Sequence, residues 1–416
     1  MTYARVPLGT VARIKHGWAF PGEGFTDDGE RVLLTPGSFH ERGGFKPRGE
    51  REKYYVGDFP SEFLLSPGDV LVCMTDLKQD APLLGGSMRV PEEGAYLHNQ
   101  RLGLVRLLDP DATDLAFLYY AFNLESFRAQ VRASATGTTV RHTAPERMYR
   151  CDVPHPPRDV QRRIAAILTA YDDLIDVNER RVRLLEESIR VLYREWFERL
   201  RFPGHQRVVV RDGVPEGWRE CRLGDVARVN DRTLSPRSAP SRIGYIDISS
   251  VSPGRVDAVT EMAFAEAPSR ARRLVADGDI LWSTVRPERR SYALLTDPDP
   301  NTVASTGFAV ITPTTVPPAW LYCAVTRDAF VAYLASIARG TSYPAVTGTD
   351  FPPIGIVVPD GKTLAAFDAA AAPTFRQIHT LNLQSRAAAR ARDALLPRLM
   401  DGTLAPPDVA AVEAVG

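Results

Sequence analysis

Between Ile164 and Trp196 the apolar positions step alternately by four and three: Ile164, Leu168, Tyr171, Ile175, Asn178, Val182, Leu185, Ile189, Leu192 and Trp196. That spacing predicts a continuous helix with a heptad seam. The other faces are crowded with Arg and Glu, as in Asn178-Glu179-Arg180-Arg181-Val182-Arg183. Asn178 interrupts the seam. It either fixes the register of a helix pair or turns to solvent at an irregularity. Pro203-Gly204 ends the segment. A second helix is predicted over about 374–399, with Phe375, Ile378, Leu381, Leu395 and Leu399. Its middle is rich in Ala and Arg, so its seam is weaker, and Pro373 marks a helix start or a kink.

The pattern ahead of each helix is mixed. Val70-Leu71-Val72-Cys73-Met74 follows a Pro67-Gly68 turn and reads as a strand, and 102–108 reads as another. Residues 114–133 have helical spacing, with Leu115, Leu118 and Phe122 on one face and Asp114 as N-cap. These signals occur twice. Phe117-Leu118-Tyr119-Tyr120-Ala121 matches Trp320-Leu321-Tyr322-Cys323-Ala324, and Gly137-Thr138-Thr139 matches Gly340-Thr341-Ser342, both at an offset of 203 (320 − 117 and 340 − 137). Leu8-Gly9-Thr10-Val11-Ala12-Arg13 recurs as Leu223-Gly224-Asp225-Val226-Ala227-Arg228, and Pro67-Gly68-Asp69-Val70-Leu71 as Asp277-Gly278-Asp279-Ile280-Leu281. A repeat this long duplicates a whole domain rather than a solenoid unit. The expected fold class is α+β: two similar globular domains, each followed by a long helix, the helices packing on each other as a pseudo-twofold coiled coil. The predicted boundaries are 1–157, a helical 158–203, 204–360, a helical 361–402, and a disordered tail over 403–416. A helix over 172–200 would be roughly 43 Å long, comparable to one turn of duplex DNA at about 34 Å.

Composition narrows the chemistry. The formal net charge is +0, so the molecule is no polycation, although its cations are mostly Arg. Arg suits two-pronged contacts with phosphates or base edges; a genomic preference for Arg codons is the alternative. Cys73, Cys151, Cys221 and Cys323 lie far apart and suggest neither a disulfide framework nor a zinc site. The N-terminal stretch has no apolar signal core and no run is long enough to span a bilayer, so a cytoplasmic protein without membrane contact is expected. Gly355-Ile356-Val357-Val358-Pro359-Asp360-Gly361-Lys362-Thr363 imitates a phosphate-binding loop with one residue too many; it reads as strand, turn and helix start. Asp69, Asp76 and Lys78 imitate a metal-dependent nuclease, but the second copy keeps only Asp279. No amino-methyltransferase motif or paired-histidine metal motif is present, and no metal site is expected.

The ordered motifs, together with Tyr193-Arg194-Glu195-Trp196-Phe197 and the closing Leu395-Leu396-Pro397-Arg398-Leu399-Met400-Asp401-Gly402, resemble the specificity subunit of Type I restriction-modification systems. The resemblance covers almost the whole chain. It implies a non-catalytic subunit whose two globular copies are target-recognition domains, each reading one half of a split sequence in double-stranded DNA. It also implies that the helices form an antiparallel coiled-coil spacer and dock two methyltransferase subunits, with restriction/translocase subunits joining them. S-adenosylmethionine, ATP and Mg²⁺ would be bound by those partners, and no cofactor by this chain. One departure stands out. Val160-Gln161-Arg162-Arg163-Ile164 has the Gln expected at the start of the conserved helix, whereas the second copy reads Thr363-Leu364-Ala365-Ala366-Phe367, which puts symmetric docking in doubt.

With DNA as the implied partner, phosphate contacts are expected from Arg, Lys, Ser and Thr, and base contacts from Arg, Asn, Gln and Lys. The candidates in the first domain are Lys15, Lys46, Arg48, Lys78, Gln79, Thr138, Thr139, Arg141 and His142. In the second they are Arg270, Arg272, Arg273, Arg286, Arg289, Arg290, Thr341, Ser342 and Tyr343. The Gly-Thr-[Thr/Ser] blocks lead, because they follow a helix and precede residues that differ between the copies. Alternatively they are turns with capping hydroxyls. Two other classes of function stay open: a structural adaptor with two protein-binding domains, and a single-chain methyltransferase or nuclease.

Overall fold

The computed structural model describes residues 2–138 and 140–407. The tail expected to be disordered therefore lies outside the described residues from 408 onward. The chain divides into two compact units, Met1–Asp176 with Arg386–Gly416, and Val177–Ser385. Each unit thus holds one globular copy and a stretch of both long helices.

In the first unit a four-stranded antiparallel sheet runs in the order Ala12–His16, Leu102–Leu107, Val70–Cys73, Ser87–Arg89. A second sheet orders Phe25–Thr26, Tyr54–Tyr55, Arg31–Leu34 and Ala95–His98, the last two parallel. Val70 and Val72 face a core shared with the helices, whereas Leu71 and Cys73 face a core with Leu34, Met88 and Leu104. Burial on both faces explains why this strand reads as an unbroken apolar run rather than an alternating one. The second unit repeats the plan. Its first sheet is Ala227–Val229, Phe308–Pro313, Ile280–Ser283, Tyr292–Leu294, and its second is Thr260–Ala263, Arg242–Ile246, Thr302–Ser305, Ala271–Leu274. Again one pair is parallel, Arg242–Ile246 with Thr302–Ser305.

The helix expected over 114–133 is two helices, Leu115–Phe122 and Glu125–Ser134. Asp114 caps the first by accepting the Phe117 N–H at 2.9 Å. The break follows from Asn123, whose Oδ1 accepts the Ser87 N–H (2.9 Å) while its Nδ2 donates to the Tyr119 carbonyl (3.2 Å). Binding the sheet edge draws the chain out of the helix. The second unit breaks at the same place, between Pro318–Thr326 and Asp328–Ile337.

The first long helix is Arg158–Tyr193, continued by a π turn over Arg194–Glu198. Its seam residues Ile164, Leu168, Asn178, Val182 and Ile189 are buried, and Tyr171, Ile175, Leu185, Leu192 and Trp196 are half-buried. Leu174, Val177, Leu184 and Val191, between them, are exposed. Asn178 is 1% exposed, so it faces inward, and its Nδ2 has no hydrogen-bond partner among the described residues. The second long helix spans Gly361–Met400 and continues through Pro373. Pro373 sits on the exposed side, where it neither starts nor ends the helix. A complete heptad seam runs along this helix through Leu364, Phe367, Ala371, Thr374, Ile378, Leu381, Ser385, Ala388, Arg392, Leu395 and Leu399, every one buried or half-buried.

Within the first unit the helical stretches run antiparallel. Ile164 and Leu168 share a core with Leu395 and Leu399, and further along Asp172 meets Arg392. In the second unit Tyr193 and Trp196 pack on Phe367 at ring distances of 6.1 and 6.0 Å. Gln161 is fully buried. Its Oε1 accepts the Asp114 N–H (2.9 Å) and its Nε2 donates to the carbonyls of Ala112 (3.2 Å) and Pro156 (2.8 Å). It therefore locks the globular copy to its helix. In the second copy Asp360 caps the helix instead, accepting from the Lys362 and Thr363 N–H groups and the Thr363 hydroxyl.

Arg392 sits in the seam between two carboxylates, Asp172 at 2.6 Å and Asp393 at 2.8 Å, and Tyr120 donates to the other oxygen of Asp172 at 2.5 Å. Burial opposes the Arg392 charge, but the hydrogen bonds it donates to Asp172 and Asp393 outweigh it and raise its pKa. Arg392→Ala leaves Asp172 without a counter-charge, while Asp393 keeps Arg42 at 2.7 Å, and is expected to cost about 3 kcal/mol in denaturant unfolding of the full chain. An unfolding midpoint equal to that of the parent would show that the pair carries no stability.

Candidate nucleic-acid interface

In the first unit the buried strand Val70–Cys73 runs on into Thr75–Asp76, which pairs antiparallel with Arg141–His142. The chain between the bridged residues Thr136 and His142 makes a five-residue tip, 137–141. Reciprocal backbone bonds between Thr136 and His142, both 2.9 Å, close it. Gly137 has φ +95°, and a Cβ there would run into the Val140 carbonyl. Thr138 is exposed at the tip, and Thr139 lies outside the described residues. Asp76 is 2% exposed and accepts the N–H groups of Lys78 (2.9 Å) and Leu83 (2.6 Å). Its charge shapes the loop that presents Lys78 and Gln79.

This arrangement brings Lys78, Gln79, Thr138, Arg141 and His142 together. Several of their cations are already engaged. Lys78 pairs with Glu41 at 2.7 Å, and the Arg141 guanidinium donates to the Arg132 carbonyl at 2.7 Å. Lys15, near the end of its strand, pairs with Glu62 at 2.8 Å and lies 4.7 Å from the Phe63 ring. Lys46 is exposed on a separate loop, and Arg48 on that loop reaches the Thr35 hydroxyl at 3.3 Å.

The second unit builds the same frame. Thr284-Val285-Arg286 follows the buried strand, Val285 bridges Ala345, and the Arg286 N–H donates to the Pro344 carbonyl at 2.7 Å. The tip 340–344 is closed by reciprocal bonds between Arg339 and Ala345, both 2.9 Å, and Gly340 has φ +101°. Thr136 and His142 map onto Arg339 and Ala345 at the offset of 203 seen in the sequence. Thr341 and Ser342 are exposed, and Tyr343 is 69% exposed. The Arg286 guanidinium lies 4.5 Å from the Tyr343 ring and donates to the Ser342 carbonyl at 3.1 Å. Arg286 and Arg290, at φ +51° and +55°, flank the turn Pro287–Arg289 in left-handed conformations that side chains rarely adopt.

Arg290 is tied at 2.6 Å to Asp328, the first residue of the helix Asp328–Ile337, while Arg289 is exposed without an ion pair among the described residues. Arg270, Arg272 and Arg273 lie at or on the strand Ala271–Leu274 of the other sheet rather than on the loop pair. Arg270 pairs with Asp247 at 2.9 Å, and Arg272 lies over Phe264. Arg273 is half-buried, which lowers its pKa by desolvation.

A third loop, Asn99–Arg101, reaches the same edge of the first unit and was not singled out by sequence. The Met74 N–H donates to the Arg101 carbonyl at 3.0 Å, directly beside Thr75. The only signal was a polar Asn-Gln-Arg triplet between two strands, and the second copy has Ser305-Thr306-Gly307 there, which hides it from a repeat comparison. His98, fully buried, spans the base of this loop with Nε2 2.9 Å from the Leu102 carbonyl.

The acids that imitated a nuclease are structural. Asp69 accepts the N–H of Ser66 (2.9 Å) and pairs with Arg106. Asp279 accepts the N–H of Ala276 (2.7 Å) and pairs with Arg232. Both close the turn that opens the buried strand. No cluster of three His, Cys, Asp or Glu among the described residues could hold a metal ion, and no described helix is long and apolar enough to cross a membrane.

Burial pushes the His98 imidazole down to about 4, against an ordinary value near 6.5. An unfolded chain therefore binds the proton that the folded chain refuses between about pH 6.5 and 4. Stability is full above that window and falls on acidification through it, by up to about 3 kcal/mol. Denaturant unfolding at stepped pH is expected to show this loss, and His98→Leu to flatten it. Equal slopes in parent and variant would assign the acid sensitivity elsewhere.

Comparison with known proteins fits this architecture. Residues 4–187 match the family model of the Type I restriction modification DNA specificity domain. The Type I restriction enzyme MjaIX specificity subunit of Methanocaldococcus jannaschii is 23% identical over 320 residues, covering 73% of this chain and 72% of that protein. The HindI specificity subunit of Haemophilus influenzae is 27% identical over 150 residues, 35% of this chain and 32% of that protein. The crystal structure of a Type I S subunit from M. genitalium superposes with a TM-score of 0.62 at 16% identity, covering 98% and 97% of the two chains, so the fold is shared. With its duplicated α+β copies, its two long helices and these matches, the chain is similar to the specificity subunits of Type I restriction-modification systems, and residues 4–187 carry that family's DNA specificity domain pattern.

Proposed function

We propose that this chain reads a split sequence in double-stranded DNA, one half with each globular copy, and directs the chemistry of partner subunits without performing it. In this reading residues 1–157 and 204–360 are the target-recognition domains, and the helical segments 158–203 and 361–402 are the spacer and the docking site for methyltransferase and restriction/translocase subunits. S-adenosylmethionine, ATP and Mg²⁺ then act in those partners, in the cytoplasm. The observation that carries the proposal is the duplicated loop pair. The same backbone bridge closes both tips, yet the side chains around it differ: His142 stands at the bridge in one copy, and Tyr343 stacks on Arg286 in the other. A common frame with divergent ends is what two half-sites of unlike sequence require. An adaptor for proteins would not need Arg and Lys gathered at the matching edge of each copy.

Selection of random-sequence duplexes by the full chain tests this. The expected result is a consensus in two blocks separated by positions of no preference, with affinity falling steeply as salt rises. Arg289→Ala is expected to weaken all sequences alike and to lower the salt slope by about one, as loss of a phosphate contact does. Equal, weak retention of every duplex would sink the proposal.

A further inference from the structure

We infer that Gln100 and Arg101 read base edges in the first half-site, an inference that rests on the DNA reading proposed above. The turn that carries them is held from every side. The Gln100 N–H donates to the Trp18 carbonyl, the Leu102 N–H to that of Asn99 and the Met74 N–H to that of Arg101, each at 3.0 Å. The Asn99 side chain, itself buried, accepts the Arg101 N–H at 3.0 Å. The His98 ring staples the base, and Gly17 packs so tightly on Asn99 that no Cβ fits between them. The backbone is thus fixed before any ligand arrives.

Above this platform both side chains are exposed, and neither makes an ion pair or side-chain hydrogen bond to the described residues. That sets Arg101 apart from its neighbours, since Lys15, Lys78 and Arg141 each have an acceptor in the fold. The residue types also match base reading. Arg donates two bonds to O6 and N7 of guanine, and Gln pairs in two-pronged fashion with N6 and N7 of adenine. Such contacts need a fixed backbone, whereas a phosphate contact tolerates a loose one.

The second copy keeps the turn and changes its cargo. The Thr284 N–H donates to the Gly307 carbonyl at 2.9 Å, as that of Met74 does to Arg101, so Thr306-Gly307 occupies the place of Gln100-Arg101. Readout from this turn therefore belongs to the first half-site, while the second copy relies on its Arg286–Tyr343 stack.

The test selects random-sequence duplexes with the full chain, its Gln100→Ala and Arg101→Ala variants, and Arg101→Lys, which keeps the charge. Each alanine variant is expected to retain the second-block consensus, which also reports a folded chain. Each should lose preference at one or two adjacent positions of the first block, by roughly tenfold or more. Guanine preference should fall for the Arg101 variants, Arg101→Lys included, and adenine preference for Gln100→Ala. A first block unchanged in all three variants overturns the assignment. So does weakening spread evenly over both blocks and rescued by Arg101→Lys, which marks a phosphate contact. If the parent chain itself yields no consensus, DNA reading fails and this assignment with it. A parent consensus with unaltered variants removes the assignment alone.

Discussion

In both units a pair of reciprocal backbone hydrogen bonds, Thr136 with His142 and Arg339 with Ala345, closes a five-residue tip against the end of the buried central strand. The presentation of the candidate DNA-reading side chains on each tip depends on this clamp. It works because the strand beneath is covered on both faces and cannot shift, and because glycine takes the left-handed position that starts each tip. Backbone amides and carbonyls do the holding, so the side chains at the tip are free to differ. Asp76 and Arg286 illustrate the point. They occupy equivalent places, one buried to brace its loop from within, the other stacked on an exposed tyrosine.

Charge is arranged with the same economy. A neutral chain rich in Arg has several of its cations at these edges already satisfied: Lys15 by Glu62, Lys78 by Glu41, Arg290 by Asp328. Exposed pairs of this kind are worth little to stability and exchange readily. Arg101 and Arg289, exposed without an ion pair among the described residues, need no such exchange.

Much of this was legible in the sequence, and the rest was hidden for definable reasons. The first heptad seam was readable because Ile, Leu and Val fill it. The second was not, since Ala371, Thr374, Ser385, Ala388 and Arg392 occupy seam positions where small size or an ion pair, rather than apolarity, permits close packing. The α+β duplication showed directly in the repeated strings. The break in the paired helices did not, because its cause is a contact from Asn123 to a strand distant in sequence. Pro373 does not start the helix, which runs through it with the proline on the exposed face. The turn at Asn99–Arg101 escaped because its only mark is three polar residues, and its importance lies in what crosses it in space.

Amide hydrogen exchange of the full chain, with and without a random-sequence duplex at low salt, tests the central claim most directly. Protection is expected to rise in both units at once, at the loops following the central strands and at the tips 137–141 and 340–344, with the seam amides of the long helices unchanged. Protection confined to one unit, or placed on the helices while the tips exchange as freely as before, would contradict it.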